Sequence, residues 1–174
     1  MAGAPDTLTL KRNRDLENRL WHRWVRRGLM LLVVAVGVLA LANVFGQRPS
    51  TATASSPAAT LRLYAPTYLR GGLLYMARFR VTAHQDLKKA TLVLDPGWAE
   101  SNTINTIEPS PIDEASENGK LSFDLGHIGV GKSFVLFMEF QMNPTNVGSH
   151  TQNVELDDGN TKLLVLHRSI TVFP

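Results

Sequence analysis

No cysteine occurs among the 174 residues. Disulfides, thiolate zinc sites, thiol nucleophiles and a cysteine-linked lipid anchor are therefore excluded. Stability must come from packing, which a domain of about 100 residues can supply unaided. Surplus positive charge is equally scarce in the part of the chain that reads as folded. The whole sequence is basic, with pI ≈ 9.4. Residues 1–27, however, hold seven basic against three acidic residues, net +4, and leave eleven basic against twelve acidic, net −1, for the remainder. A nucleic-acid-binding domain places its basic surface on the fold itself, so no nucleic-acid partner is expected. Catalytic signatures are missing too. There is no G-x-S-x-G, S-x-x-K, P-loop or HExxH spacing. The Gly129–Ser133 stretch ends in G-K-S, but its leading glycine is misplaced and no helix pattern follows to hold a phosphate. The five histidines, His22, His84, His127, His150 and His167, form no ligand spacing. No enzyme activity and no cofactor is expected.

The chain does carry a long uncharged run. Gly28 to Phe45 reads GLMLLVVAVGVLALANVF, with Asn43 its one strongly polar side chain. At ~1.5 Å per residue this spans about 27 Å, close to the ~30 Å hydrocarbon core of a bilayer. Its valines are no obstacle, because lipid forces the backbone to bond to itself. It has no polar face, unlike a helix at the surface of a soluble core. A transmembrane helix is therefore expected over 28–46. Seven Lys and Arg precede it and only Arg48 follows closely, which places residues 1–27 in the cytoplasm and 47–174 outside the plasma membrane. Trp21 and Trp24 stand where an interfacial aromatic belt belongs, and Arg23, Arg26 and Arg27 can reach lipid phosphates. Ala40-Leu41-Ala42 and Ala52-Thr53-Ala54 fit a signal-peptidase pattern. The long basic region and an apolar core beyond the about 7–15 residues of a signal peptide favour an uncleaved anchor. Leu16, Leu20 and Trp24, with the Asp15–Arg19 pair, allow an amphipathic helix within residues 8–27, against a plain topogenic role.

Gln47 to Thr60 is a Ser/Thr/Ala/Pro run without apolar period and reads as a flexible spacer. From Leu61 the period becomes two. Tyr75, Ala77, Phe79, Val81 and Ala83 alternate with polar neighbours, as do Phe134, Leu136, Met138 and Phe140. Thr91–Leu94, Thr103–Glu108 and a segment from Leu121 add shorter strands, and Asp157-Asp158-Gly159-Asn160 reads as a hairpin turn between His150–Leu156 and Thr161–Val172. Seven or eight strands with no convincing helix predict an all-β, immunoglobulin-like sandwich over 61–174, with a small closed barrel as the other architecture the pattern permits.

One segment carries a resemblance. Phe123 to Ser133 gives a strand, then L-G-x-I-x-x-G-x-S, then a strand, with Leu125 and Ile128 placed to plug one end of a sandwich. This resembles the strand connection of immunoglobulin-like repeats in bacterial cell-surface proteins, the cell-adhesion-related group. The resemblance implies a fold and a surface location; the group has no shared active site, so no functional residue carries over.

Three loops remain. Glu108 to Gly119 holds four carboxylates and reads as a solvated loop, with a calcium-steadied or partner-binding loop as the alternative. Trp98 follows the Asp95-Pro96-Gly97 turn, where it either packs back or stands out as a binding anchor. Asn143, Pro144, Thr145 and Asn146 fix the shape of an elaborate connection, either a rigid turn or a presented recognition loop. If strand directions alternate from Leu61, this loop lies at the tether end of the sandwich and Trp98 at the opposite end. The expected role is a membrane-anchored binding or accessory module contacting another integral-membrane or envelope protein. The alternative is an envelope-facing carbohydrate-binding or hydrolytic domain.

Overall fold

The computed structural model describes residues 20–42, 44 and 47–174. The amphipathic segment expected around Leu16 and the Asp15–Arg19 pair lies outside the described residues, as do Asn43, Phe45 and Gly46. The chain divides into two units, Met1–Val44 and Phe45–Pro174.

In the first unit, α1 runs from Leu20 to Leu41, 22 residues. It starts earlier than the expected span because Trp21 to Arg27 contain no helix breaker, so the basic flank joins the same helix. Trp21–Leu41 is long and apolar enough to cross a membrane by length and composition.

The second unit contains thirteen strand segments among the described residues: β1 (Pro49–Ser55), β2 (Ala59–Pro66), β3 (Tyr68–Arg70), β4 (Leu74–Ala83), β5 (Leu87–Leu94), then the short helix α2 (Pro96–Ser101), β6 (Asn102–Glu108), β7 (Asp113–Glu117), β8 (Lys120–Ile128), β9 (Ser133–Met142), β10 (Gly148–Thr151), β11 (Val154–Asp158), β12 (Thr161–Leu166) and β13 (Ser169–Phe173). They make two five-stranded sheets, β1-β2-β4-β9-β6 and β12-β11-β5-β8-β7, plus a three-stranded strip, β10-β13-β3. The all-β sandwich expected from the alternation is the fold.

The core follows from that alternation. Tyr75, Ala77, Phe79, Val81 and Ala83 of β4 are buried, as are Leu136, Met138, Phe140 and Met142 of β9. They belong to one apolar cluster with Leu92 and Leu94 of β5, Phe123 and Leu125 of β8, and Val154 and Leu156 of β11. Each large side chain so buried contributes about 1.5–3 kcal/mol relative to exposure. Leu125 also marks a bulge. Ala90 pairs with Gly126 and Thr91 with Asp124, which leaves Leu125 as the extra residue. Gly126 takes φ +77 there, a left-handed value that glycine adopts freely.

Several expectations are corrected. The spacer over 47–60 is largely structured: Pro49–Ser55 pairs antiparallel with Ser55's partner Thr60 through Pro49's partner Pro66. The apolar face of this edge strand is only Ala52 and Ala54, partly buried against the core, and ladder hydrogen bonds supply the rest of its hold. The acidic stretch is not wholly loop, since Asp113–Glu117 pairs with β8 along its whole length. The Asp157–Asn160 hairpin stands, with Asp158 opposite Thr161 and Gly159 at φ +59. Its arms are broken, because Gln152 N–H donates to Arg168 C=O at 2.8 Å where the chain passes between sheets.

The two loops expected at opposite ends are adjacent. Asn143 N–H donates to Ser101 C=O at 3.0 Å, and Asn146 Nδ2 donates to Glu100 C=O at 3.1 Å. Both lie at the end where Pro49 begins β1. With β1 and β7 counted among the strands, alternation brings Trp98 and the Asn143 loop to one end of the sandwich; alternation from Leu61 without them separates the two.

Candidate functional site

Trp21, Arg23, Trp24, Arg26 and Arg27 all fall on the first two turns of α1 and are solvent-facing or nearly so. The Arg27 guanidinium lies 5.5 Å from the Trp24 ring centroid. The helix thus gathers the aromatic and basic groups that an interfacial belt needs on one short segment.

Trp98 leaves the set of candidate binding anchors, since it is 0% exposed. Its ring packs 5.0 Å from Phe140 and 5.7 Å from Phe79, and Nε1 donates to Asn153 C=O at 3.1 Å. Pro96 at the start of α2 sets the first turn, and the helix folds the indole back into the core. The 143–146 loop is a turn closed by its own side chains. Thr145 donates through N–H and Oγ1 to Asn143 Oδ1 at 3.1 and 2.8 Å, and Pro144 lies against Gly71. Asn143, Pro144 and Thr145 remain exposed on it.

A buried polar chain runs beside Trp98. Tyr75 O–H donates to Asn102 Oδ1 at 3.0 Å, Gln152 Nε2 donates to the Tyr75 oxygen at 3.0 Å, and Asn102 Nδ2 donates to Trp98 C=O at 3.0 Å. Burial pushes the Tyr75 hydroxyl far above its ordinary range, so it stays a neutral donor. The role of the chain is structural, tying β4, β6 and the β10–β11 connection together. Tyr75→Phe is expected to destabilise by about 1–3 kcal/mol, because it strands one buried donor and one buried acceptor. Urea unfolding checks this.

On the second sheet, Glu155 bridges Lys162 at 2.7 Å and Lys120 at 3.6 Å. Asp157 beside them is pushed up to about 6, first by burial and then by the Glu155 charge. The fold thus holds a proton that an unfolded carboxyl releases near its ordinary 3.8. This contribution is fully present below about pH 4 and is lost as pH rises through about 6. Asp157→Asn is expected to match the wild-type Tm at pH 4 and to exceed it at pH 7. The side chain is half-buried, so solvent screening cuts the gain to about 1 kcal/mol. Among the described residues no group of three or more His, Asp or Glu is placed to hold a metal ion.

The outward face of the first five-stranded sheet is different. In register across β1, β2, β4, β9 and β6 stand Thr51, Tyr64, Arg78, Phe137 and Glu108; one row over stand Thr53, Arg62, Arg80 and Val135. Arg62 and Arg80 are directly opposite each other. The Arg78 guanidinium lies 5.1 Å from the Tyr64 ring centroid, on the β2 side, while Glu139 stands on the other neighbouring strand, β9. Thr51, Arg62, Tyr64, Arg78 and Arg80 line a shallow cleft of about 200 Å³. Met76, Phe137 and Tyr64 are 57%, 40% and 40% exposed on the same face. Among the described residues no carboxylate makes an ion pair with any of these three arginines. A second cleft, about 460 Å³, opens where the free edges of β6 and β7 part, over Ile104, Ile107, Leu121 and Phe123.

Sequence reasoning missed the arginine face. The alternation puts each of these arginines on the polar side of its strand, but the net charge of the domain hides a local cluster, and only the strand order brings β2 beside β4.

No family model matches the chain, and no curated protein matches it. Among solved structures it is similar to the cohesin CaCohA2 from Clostridium acetobutylicum, at 13% identity over 68% of this chain and 92% of that one, TM-score 0.47. It is also similar to a non-cellulosomal cohesin from the archaeon Archaeoglobus fulgidus, at 11% identity over 73% and 92%, TM-score 0.42. A third is the human F-spondin reeler domain, at 12% identity over 62% and 82%, TM-score 0.37.

Proposed function

We propose that the chain is a single-pass membrane protein, N-terminus cytoplasmic, whose sandwich stands outside as a binding or accessory module for another integral-membrane or envelope protein. Three features support this reading: the apolar helix α1, the basic flank that precedes its uncharged run, and the Trp21/Trp24 pair with its neighbouring arginines. The observation that carries the binding role is the outward face of the first sheet. Arg, Tyr, Phe and Met are the residue types enriched at the centres of protein interfaces, and here they stand together on one face, with Tyr64, Met76 and Phe137 exposed among the described residues of the sandwich. The alternative of a carbohydrate-binding or hydrolytic domain would draw support from converging carboxylates, whereas the β6–β7 cleft has Glu114 as its single titratable lining group.

The test is a photo-crosslinking amino acid at position 137 in the full chain, irradiated in its native membrane. A single stoichiometric adduct of defined mass is expected at position 137 and not at Val130, which is exposed on a different connection. Equal, diffuse labelling at both positions contradicts the binding role.

A further inference from the structure

We infer that the Arg62/Arg78/Arg80 cleft recognises the carboxylates of an acidic polypeptide segment on the partner. This rests on the binding-module reading and gives it a ligand chemistry.

Like charges placed directly opposite across an antiparallel pair destabilise a sheet. Arg62 and Arg80 occupy such a pair, and the Arg78 guanidinium lies over Tyr64 on the β2 side, although Glu139 stands on the neighbouring strand β9. Solvent screens this repulsion, and folding alone gives no return for it. A bound anion does, because guanidinium groups present paired donors that match a carboxylate in two-pronged geometry. The strands fix the spacing of the three Cα positions. Stacking on Tyr64 fixes Arg78 in advance.

The surroundings select the source of the anion. The strip beside the arginines carries exposed Phe137 and Met76 and half-buried Val135 on β9 and β4. A bare phosphate leaves that strip wet, while the apolar side chains of a peptide cover it. An anionic bilayer approaching the whole face would meet Glu108 and Glu139 on its far side and be repelled there. A narrow chain lying along β4, with its acidic side chains over β2 and its apolar ones over Val135 and Phe137, stays clear of Glu108 on β6 and meets Glu139 only at its end.

The full chain in nanodiscs of zwitterionic lipid is titrated with a fluorescent peptide of glutamates flanking a phenylalanine. The expected result is saturable binding that weakens at least tenfold in Arg62→Gln/Arg80→Gln and is unchanged in Lys88→Gln, which lies off this face. Binding should also weaken as salt rises from 50 to 500 mM. Because the substitutions remove a repulsion, their Tm should equal or exceed that of the parent; a lower Tm assigns the arginines to the fold and overturns the inference. So does a peptide affinity that ignores them. Binding of inorganic phosphate, or of nanodiscs containing phosphatidylglycerol, with the same arginine dependence and without peptide binding, overturns the polypeptide source. A position-137 adduct that persists in Arg62→Gln/Arg80→Gln sinks the arginine inference alone; its absence in the parent sinks the binding role itself.

Discussion

Trp98→Ala is expected to cost about 3–5 kcal/mol of folding stability, the usual range for removing a large buried aromatic side chain. The indole is 0% exposed and stacks at a tilt against Phe79 and Phe140. Its removal leaves a cavity walled by β4 and β9, the central strands of the first sheet, which cannot collapse without losing their own pairing. Asn153 C=O loses the Nε1 donor as well. Trp98→Phe separates the two contributions: it keeps most of the ring burial and should cost about 1 kcal/mol for the bond, with some residual cavity. Urea midpoints of the full chain in mild detergent report both. In a Trp21→Phe/Trp24→Phe background, Trp98 emission should be blue-shifted and should move to the red on unfolding. A loss below about 1 kcal/mol for Trp98→Ala contradicts its place in the core.

Gly97→Ala carries the second large effect, and competing magnitudes decide its sign. Alanine is the better helix former by about 1 kcal/mol, so in an open helix the change would stabilise. Here the new Cβ would lie 2.0 Å from Thr151 O and 3.0 Å from Thr151 C. The obstacle is the backbone of β10, so no rotamer relieves it and α2 must lift away. Overpacking of this kind costs about 1–3 kcal/mol and sometimes more; with a backbone partner the upper end is expected, leaving a net loss of about 2–3 kcal/mol. Since α2 carries Trp98 into the core, displacing it also loosens the indole. Gly97→Ala and Trp98→Ala should therefore be less than additive in the double variant. Full additivity would mean that α2 shifts without disturbing Trp98.

Much of this architecture is legible in the residues themselves. On β4 and β9, large apolar side chains occur every second position, and a strand half in contact with a core requires that pattern. The uncharged run of α1 is equally plain. What escapes is whatever burial does not drive. PSTATAS forms β1 as an edge strand with its outward residues in solvent, so its composition matches that of a spacer. DEASE forms β7 with all five residues exposed, so its charges read as loop. In both, backbone pairing to a better-marked neighbour decides the conformation; the alternation of Ala52 and Ala54 in β1 is too small in side-chain volume to announce a strand, and β7 has none.

The candidate site was legible in its parts only. Alternation predicts that Arg62, Arg78 and Arg80 face outward. That Arg62 meets Arg80 depends on the register of β2 against β4, which the hydrophobic pattern fixes only once the two strands are known to be neighbours. Trp98 shows the converse. Its two readings, packed or presented, differ in tertiary surroundings, and the helical turn opened by Pro96 decides between them.

The absence of native cysteine allows the topology to be tested directly. Single cysteines introduced as Thr9→Cys and Val130→Cys in the full chain are treated on intact cells with a membrane-impermeant maleimide. The account predicts labelling of Val130→Cys at once and of Thr9→Cys only after permeabilisation. Labelling of Thr9→Cys on intact cells with Val130→Cys protected would reverse the orientation, and with it the proposal that the sandwich meets its partner outside the membrane.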